Sequence, residues 1–206
     1  MTDTVSIKKI DKYSPSDYFL DIAIIHKTEI EDGFLSTLDT KFLSLIYKHI
    51  ATSAYSFLFA AIENKRVVGF ICGSVDSKKV IYSFVFRFGF RSFPLLAKKL
   101  FTFSNAKKFF EVLLYPIREE NEHLPESEIL NFCINNSLQG RGLGKRLFKE
   151  LVREYSRRSI KEFKIVTGAS QKKAQNFYNA VGAKKVSEIN IHGDEPSLMF
   201  LYEISG

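Results

Sequence analysis

Apolar and polar residues recur along the first third of the chain with the spacing of strands and of helices in turn. Residues 5–10 alternate weakly and predict a first strand, whereas 15–29 and 39–51 show helical spacing and predict two helices. Residues 55–76 form two apolar runs that are rich in β-forming residues and are joined at the polar stretch Glu63-Asn64-Lys65. This pattern predicts a β-hairpin.

Two glycines interrupt the return strand of that hairpin. Gly69 and Gly73 have no side chain to pack, and a glycine inside a strand is typical of a bulge or of a close approach between backbones. We therefore expect this strand to carry a bulge or to lie unusually close to a neighbouring segment.

The chain from residue 127 onwards predicts strands and helices in alternation, followed by two more strands. The short helix is expected to end at Gly182, because glycine is common just after the last turn of a helix. The order of elements is typical of an α+β protein with one central sheet. The predicted strands are 127–135, 161–169, 183–193 and 196–204, and the predicted helices are 140–157 and 170–182.

The segment between the hairpin and strand 127–135 differs from the rest of the chain in its charge. Residues 77–117 contain eight Lys or Arg and one acid, Glu111, and eight minus one gives +7, as much as the net charge of the whole chain. Phe and Leu interleave with the cations, and residues 93–117 have the pattern of a basic amphipathic helix pair. We interpret 77–125 as an insertion between strands of the core.

The composition is that of a single folded domain over residues 1–206. A hydrophobic content of 45% with 26% charged residues argues against disorder, and a chain of this length can bury a core. The net charge of +7 favours anionic partners such as a phosphorylated cofactor, nucleic acid or membrane headgroups. The sequence shows neither a signal peptide nor a long apolar run, so we expect a cytoplasmic protein without a transmembrane segment.

Cysteine and histidine usage predicts neither a disulfide nor a metal site. Cys72 and Cys133 both lie in apolar, strand-like runs, which favours two buried free thiols in a reducing compartment. The histidines are scattered, and none has the spacing from another His or a Cys that a metal site needs. They are His26, His49, His123 and His192.

A glycine-rich loop joins strand 127–135 to the amphipathic helix that follows it, and its sequence is Gln139-Gly140-Arg141-Gly142-Leu143-Gly144-Lys145. The first turn of a helix suits an anion, because its backbone N–H groups are free and the helix dipole is positive there. The spacing differs from that of a Walker A loop and from the dinucleotide fingerprint G-x-G-x-x-G. The alternative is a glycine-rich helix entry without a ligand.

At these positions the chain resembles the GNAT acyltransferase family, whose two motifs occur in the right order and at the right separation. The departures from the family pattern are Gln171, where Asn is common, and Ala183, where Phe is common. The resemblance is close over residues 125–203, and over residues 1–76 it extends only to the order of elements. The motif Q/R-x-x-G-x-G/A is matched by Gln139, Gly142 and Gly144, and A-x-x-F-Y-x-x-x-G by Ala174, Phe177, Tyr178 and Gly182.

The resemblance implies an α+β fold of the three-layer α/β/α type. Its centre is a GNAT-like mixed β-sheet of about seven strands flanked by helices. The segment 77–125 would then be a helical insertion between strands 3 and 4 that shapes the acceptor site.

The resemblance also implies acetyl-CoA as co-substrate, with its pyrophosphate in the glycine loop and its pantetheine arm between strands 127–135 and 162–168. Backbone of the first of these strands would pair with the pantetheine amides as an added strand would. Lys145 or Arg146, with Lys172 or Lys173 beside them, would reach the 3′-phosphate unless they are solvated surface cations. The residues assigned to the coenzyme are Phe132, Cys133, Ile134, Asn135, Gln139, Gly140, Arg141, Gly142, Leu143, Gly144, Lys145, Gln171, Ala174, Phe177 and Tyr178.

Two residues are candidates for the proton transfers of acetyl transfer to an amine. Tyr178 stands where the family often has its general acid, and a phenol has a basicity similar to that of the departing thiolate. Glu128 stands where one branch of the family has its catalytic base, and by strand alternation it would share a face with Leu130, Phe132 and Ile134. Backbone N–H near Ile134 or Asn135 would polarise the thioester carbonyl. Weaker alternatives for the base are Glu126, Asn131 and His26.

The acceptor is less closely defined than the donor. The basic insertion suggests a small anionic amine such as an amino sugar, and peripheral contact of residues 77–114 with a membrane is also open. Two other functions are open: a non-catalytic basic module that binds anionic membrane or nucleic acid, and an acyl-CoA sensor without turnover. No motif for specific nucleic-acid binding is present, and a homodimer is left open.

Overall fold

Seven strands and six α-helices make up the part of the chain that the computed structural model describes, which is residues 5–30, 34–100, 124–192 and 195–204. The second half of the predicted helix pair and Glu111 lie outside the described residues. The strands are β1 (Ser6–Ile10), β2 (Ser56–Glu63), β3 (Arg66–Ser74), β4 (Glu128–Ile134), β5 (Glu162–Gly168), β6 (Lys184–His192) and β7 (Glu195–Glu203). The helices are α1 (Ser16–Glu29), α2 (Phe34–Thr37), α3 (Thr40–Thr52), α4 (Ser77–Leu100), α5 (Leu143–Arg157) and α6 (Lys172–Ala180).

The strands form one mixed sheet in the order β1-β2-β3-β4-β5-β7-β6. Every neighbouring pair is antiparallel except β4 and β5, which are parallel. These two strands pair at only two positions, where the first residues of β4 meet the middle of β5: Glu128 lies opposite Lys164 and Ile129 opposite Ile165. The sheet therefore opens between the carboxyl ends of β4 and β5, and the α+β fold with a mixed seven-stranded sheet is confirmed.

The predicted hairpin is present, and its glycines explain how closely it approaches its neighbours. Asn64 and Lys65 both have positive φ, as a two-residue type I′ turn requires. A Cβ added at Gly69 would lie 3.1 Å from the carbonyl oxygen of Cys133, and one at Gly73 would lie 2.5 Å from the hydroxyl of Tyr155. The expectation of close approach at both glycines is therefore confirmed.

A β-bulge in β4 changes which side chains share a face. Cys72 lies opposite Asn131 but Gly73 lies opposite Ile129, so Leu130 is an extra residue with no partner position on β3. A bulge reverses the alternation beyond it, which places Ile129, not Glu128, on the face of Phe132. The prediction that Glu128 and Leu130 share a face with Phe132 and Ile134 is wrong for this reason.

Helices cover both faces of the sheet. On one face α1 and α3 pack on the central strands, where Ile22, Leu43 and Tyr47 are fully buried. Leu45, which lies between Leu43 and Tyr47 on α3, is exposed. On the other face α5 and α6 pack through a cluster that includes Leu147 and Tyr155. The candidate site lies at the opening between β4 and β5, where these layers meet.

The insertion begins as the helix α4, which packs on α3. Nε2 of His49 lies 3.2 Å from the carbonyl oxygen of Val80 and 3.0 Å from the hydroxyl of Ser83. Phe84 makes edge-to-face contacts with Phe42 and His49. The helical insertion between the third and fourth strands is therefore confirmed over Ser77–Leu100.

Candidate active site

The glycine-rich loop turns into α5 through two residues with positive φ. Gly140 has φ 76° and Gly142 has φ 78°, a left-handed conformation that side chains disfavour. Gly142 is the last residue before the helix and no side chain caps it. The first backbone N–H groups of α5 therefore face the cleft beside the loop as potential donors to an anion.

Gly144 brings the first turn of α5 close to an aromatic floor. An added Cβ there would lie 3.1 Å from Cε2 of Phe177 and 3.4 Å from both Phe132 and Ile134. The rings of Phe132 and Phe177 make an edge-to-face contact at 5.2 Å between centroids. A side chain at this position would push the helix away from β4 and α6, so the third glycine of the loop serves packing.

The loop, β4 and α6 enclose a cleft of about 910 Å³. Three of the residues predicted to bind the coenzyme, Asn135, Arg141 and Leu143, do not line it, and Leu143 is buried in the core. The predicted residues that do line the cleft are Phe132, Cys133, Ile134, Gln139, Gly140, Gly142, Gly144, Lys145, Gln171, Ala174, Phe177 and Tyr178. The additional lining residues are Glu29, Ile30, Asn136, Ser170, Lys172 and Lys173.

Three lysines give the mouth of the cleft a positive charge. Lys145 follows the glycine loop, and Lys172 and Lys173 begin α6, so the cations lie on two sides of the same opening. The other proposed cation, Arg146, points elsewhere: its guanidinium donates to the carbonyl oxygen of Val5 at 2.8 Å. Of the four cations considered from the sequence, the structure therefore brings three together at the cleft.

The turn between β5 and α6 is fixed by two glutamines. The hydroxyl of Thr167 donates to Oε1 of Gln171 at 2.8 Å. The buried Gln175 donates from Nε2 to the carbonyl oxygens of Gly168 and Ala169 at 3.0 and 2.9 Å. These bonds satisfy backbone groups at the end of β5 and so hold α6, with Tyr178 on it, against the cleft.

Tyr178 lies where the two cavities of the site meet. It is buried, and it lines both the main cleft and a smaller cavity of about 260 Å³ that continues between β4 and β5. Burial, followed by the neighbouring thiols of Cys133 and Cys72, raises the pKa of the phenol well above its usual value. The hydroxyl is therefore protonated throughout the pH range in which proteins work.

The smaller cavity has polar walls but no charged residue among those that line it. Asn131 and Leu130 contribute from β4, Thr167 and Gly168 from β5, and Ser197 from β7. Ile30 and Tyr178 line this cavity as well as the main cleft, so the two spaces are continuous at that level. The arrangement offers hydrogen bonds to a neutral group without a charged partner.

The backbone of β4 offers donors toward the opening of the sheet. Asn135 donates its N–H to the carbonyl oxygen of Val68 at 3.0 Å, so this amide belongs to the sheet and does not reach the cleft. In an antiparallel ladder alternate residues point their N–H groups to opposite sides. The amides of Ile134 and Phe132 consequently face away from β3, toward the gap beside β5.

Glu128, predicted as the base, does not line either cavity. Its carbonyl oxygen accepts a hydrogen bond of 2.6 Å from the hydroxyl of Tyr155. A different acid, Glu29 at the end of α1, is the one carboxylate among the described residues that line these two cavities. Its Oε1 accepts the N–H of Asn136 at 3.1 Å, and its charge contributes to raising the pKa of Cys133 after burial. Since Glu29 lies 107 residues from Asn136 along the chain, sequence pattern carried no signal for it.

The two cysteines are buried free thiols, as expected. Burial raises the pKa of Cys133 to about 12 and that of Cys72 further, so neither is a thiolate at neutral pH. Over the described residues, no group of three or more His, Cys, Asp or Glu side chains is placed to hold a metal ion. None of the helices in the described ranges is sufficiently long and apolar to cross a bilayer.

The mixed seven-stranded sheet flanked by helices has the fold of solved structures that are described as GNAT-family acetyltransferases. Residues 116–192 match the model of the acetyltransferase (GNAT) domain, which confirms the resemblance carried by the motifs around Gln139 and Tyr178. A comparison with curated protein sequences gives no match.

Solved structures with this fold cover nearly the whole chain at low sequence identity. NAA60 of Arabidopsis thaliana in complex with acetyl-CoA has a TM-score of 0.60 and 16% identity, and the match covers 98% of this chain and 100% of that one. The ribosomal-protein-S18-alanine N-acetyltransferase of Escherichia coli has a TM-score of 0.58 and 13% identity, over 98% and 96%. A GNAT acetyltransferase of Streptococcus pneumoniae has a TM-score of 0.59 and 13% identity, over 98% and 100%.

Proposed function

We propose that this protein is an N-acetyltransferase that moves an acetyl group from acetyl-CoA to the amine of a small molecule. The observation that carries the proposal is the single cleft at which the glycine loop, the outward amides of β4 and the protonated Tyr178 meet. Each of these groups has a separate task in the reaction, and they lie along one continuous space. The structure of NAA60 with acetyl-CoA supports the choice of donor.

The donor would lie along the cleft from the loop to Tyr178. The N–H groups at the start of α5 would bind the pyrophosphate, and Lys145, Lys172 and Lys173 would balance the remaining phosphate charge. The pantetheine arm would lie in the main cleft beside β4 and pair with the outward amides of that strand as an added strand does, which leaves the smaller cavity for the acceptor. In this position the thioester at the end of the pantetheine arm would lie beside Tyr178.

The chemical step needs a polarised carbonyl, a proton donor and a neutral amine. The amine nitrogen attacks the thioester carbon, a C–N bond forms and the C–S bond breaks. The amide of Ile134 or Phe132 would stabilise the oxygen of the thioester, and Tyr178 would give its proton to the departing thiolate. The raised pKa keeps Tyr178 in the acid form for this task.

The base is proposed to be Glu29. It lines the cleft from the α1 side, opposite the α6 side that carries Tyr178, and the N–H of Asn136 fixes one of its carboxylate oxygens. Glu128 stays a prediction for this role, but neither cavity includes it. An acid on the wall opposite the proton donor could take the proton of an incoming amine while the thiolate leaves.

The acceptor is proposed to be a small amine whose reacting end enters the cavity of about 260 Å³. The polar, uncharged walls suit a hydroxylated amine such as an amino sugar, and the basic insertion 77–125 would attract an anionic part of it. A second candidate is an amine of a protein, because the ribosomal-protein-S18-alanine N-acetyltransferase of Escherichia coli shares the fold.

We further propose that residues 1–206 work as one domain and that the reaction takes place in the cytoplasm. Helices α1 and α3 pack on one face of a single sheet and α5 and α6 on the other, and the site draws on both faces. Buried free thiols fit a reducing compartment.

The proposal is tested by donor binding followed by turnover. Acetyl-CoA should raise the melting temperature of the protein, and release of coenzyme A thiol should then depend on one member of a panel of amino sugars, their phosphates, polyamines and short peptides with free amino termini. If neither acetyl-CoA nor a longer acyl-CoA raises the melting temperature, both the acetyltransferase and the acyl-CoA sensor are overturned. A shift with thiol release from peptides alone would assign the acceptor to protein amino termini.

A further inference from the structure

The outward face of α4 is an apolar stripe that no described residue covers. Phe86 is 89% exposed, Tyr82 is 55% exposed and Val85 is 44% exposed. They recur at spacings of three and four residues and therefore lie on one side of the helix. The opposite side, which includes Val80 and Phe84, packs on α3. Phe86 is almost fully exposed although the opposite side of its helix is packed. An exposed apolar stripe of this kind indicates an interaction surface.

The charge of α4 restricts what can cover this stripe. The helix contains six Lys or Arg and neither Asp nor Glu: Lys78, Lys79, Arg87, Arg91, Lys98 and Lys99. Lys79 is paired with Asp76 just before the helix, and Arg87 is exposed beside Phe86. Two copies of such a face would repel each other, so a second copy of this chain is a poor partner. A nucleic acid would match the charge but offers no apolar layer for Val85.

We propose that the outward face of α4 docks on the surface of an anionic lipid bilayer. A bilayer surface supplies both complements at once, since its headgroups carry negative charge and its acyl boundary takes up apolar side chains. Phe86, Tyr82 and Val85 would enter that boundary, while the exposed Arg87 beside them stays at headgroup level. Neither cavity of the candidate active site is lined by Tyr82, Val85, Phe86 or Arg87, and the proposal does not depend on the acetyl-transfer chemistry.

The experiment is co-sedimentation of the full chain with vesicles of phosphatidylcholine alone and of phosphatidylcholine with phosphatidylserine. The protein should sediment with the serine-containing vesicles and should lose binding as salt is raised. Phe86→Ser should weaken binding about tenfold or more because a buried phenylalanine is lost. Arg87→Gln should weaken it about fivefold, which is the contribution of one basic residue near a charged membrane.

The controls change residues of the same kinds elsewhere on the surface. Tyr13→Ser removes an aromatic side chain that is 82% exposed in the turn before α1, and Lys161→Gln removes an exposed cation before β5. Both should bind like the unchanged protein, and circular dichroism and melting temperature should show that all variants fold. Equal binding of Phe86→Ser and the unchanged protein would overturn the proposal. So would binding to double-stranded DNA but not to vesicles, or a dimer in solution that Phe86→Ser dissociates.

Discussion

Tyr178 is the residue on which the proposed chemistry most depends, because it touches both cavities and stays protonated. We expect Tyr178→Phe to lower kcat by about 10- to 1000-fold, the usual contribution of a general acid. The dissociation constant of acetyl-CoA should stay nearly the same, since the ring remains in place. Steady-state or stopped-flow measurement of thiol release gives kcat, and calorimetry gives the dissociation constant of acetyl-CoA. Tyr202→Phe is the control, because Tyr202 packs on Phe148 and lines neither cavity; unchanged turnover in Tyr178→Phe would remove that residue from the mechanism.

The two candidates for the general base, Glu29 and Glu128, can be distinguished because their Gln variants should have opposite effects on turnover. Glu29→Gln keeps an oxygen that can accept the N–H of Asn136, so the fold should survive while the charge is lost. We expect kcat/KM at neutral pH to fall by about 10- to 100-fold, which is the usual contribution of a general base. Glu128→Gln should change kcat/KM much less, because its side chain lines neither cavity. The reverse result, with the large loss in Glu128→Gln, would restore Glu128 as the base.

The sequence predicted the site residues that lie within a motif, but it did not predict those whose position depends on a contact with a distant part of the chain. Gln139, Gly142, Gly144 and Tyr178 belong to the two motifs that carry the family resemblance, and the structure brings them to one cleft. Arg146 has the same local signal as Lys145, but a contact with Val5 turns it away from the cleft. No spacing rule reports such a contact, because the partner is 141 residues away.

The glycine loop as an element can be tested with two glycines that share a conformation but not a location. Gly142 and Gly182 both have positive φ, 78° and 99°, and neither has an atom within 4 Å of an added Cβ. Alanine at either position should cost about 1 kcal/mol of the free energy of unfolding, measured in urea. Gly142→Ala should also weaken acetyl-CoA binding roughly tenfold, the effect of one lost hydrogen bond to a charged group.

Gly182→Ala serves as the control for this element, because Gly182 ends α6 and does not line the cleft. Its affinity for acetyl-CoA should equal that of the unchanged protein. Equal affinities for both variants would mean that the loop conformation at Gly142 matters only for stability, and the pyrophosphate would then have to be bound elsewhere.

The bulge in β4 shows why strand alternation alone misplaced Glu128. Counting by two along 128–134 is correct only if each residue has a partner position, and Leu130 has none. The bulge lies beside Gly73, over which the hydroxyl of Tyr155 sits and donates to the carbonyl oxygens of Ser74 and Glu128. Gly73 was therefore a correct signal of close approach, but the residue that fills the space is on a helix 82 positions later in the chain. The local sequence pattern therefore predicted where the strand is irregular, but it did not predict that the bulge turns Glu128 away from the face of Phe132.

At the scale of the whole molecule, hydrophobic periodicity predicted the elements around one central sheet, and acid sensitivity follows from what the helical layers on that sheet bury. His26 on α1 is buried against Tyr47 of α3, to which its Nδ1 is hydrogen-bonded. Its Nε2 has no hydrogen-bond partner among the described residues. Burial and then the charge of Lys27 lower the pKa of His26 to about 4. A proton on this ring would thus enter an apolar layer without an acceptor.

The sign of the pH effect follows from that lowered pKa. The unfolded chain takes up the proton near pH 6.5 and the folded chain only near pH 4, so stability is complete above 6.5 and declines as the pH falls toward 4. The decline from His26 alone should reach roughly 3 kcal/mol. Burial raises the pKa of Glu154, but its hydrogen bonds to Lys9 and Arg158 outweigh burial and lower the pKa. That carboxylate therefore adds a further loss of stability only below pH 4.5.

Urea unfolding at several pH values between 7.5 and 4.5 measures the decline in stability. His26→Gln cannot take up the proton and should flatten it, whereas an equally steep decline in that variant would assign the acid sensitivity to His49, whose pKa burial also lowers.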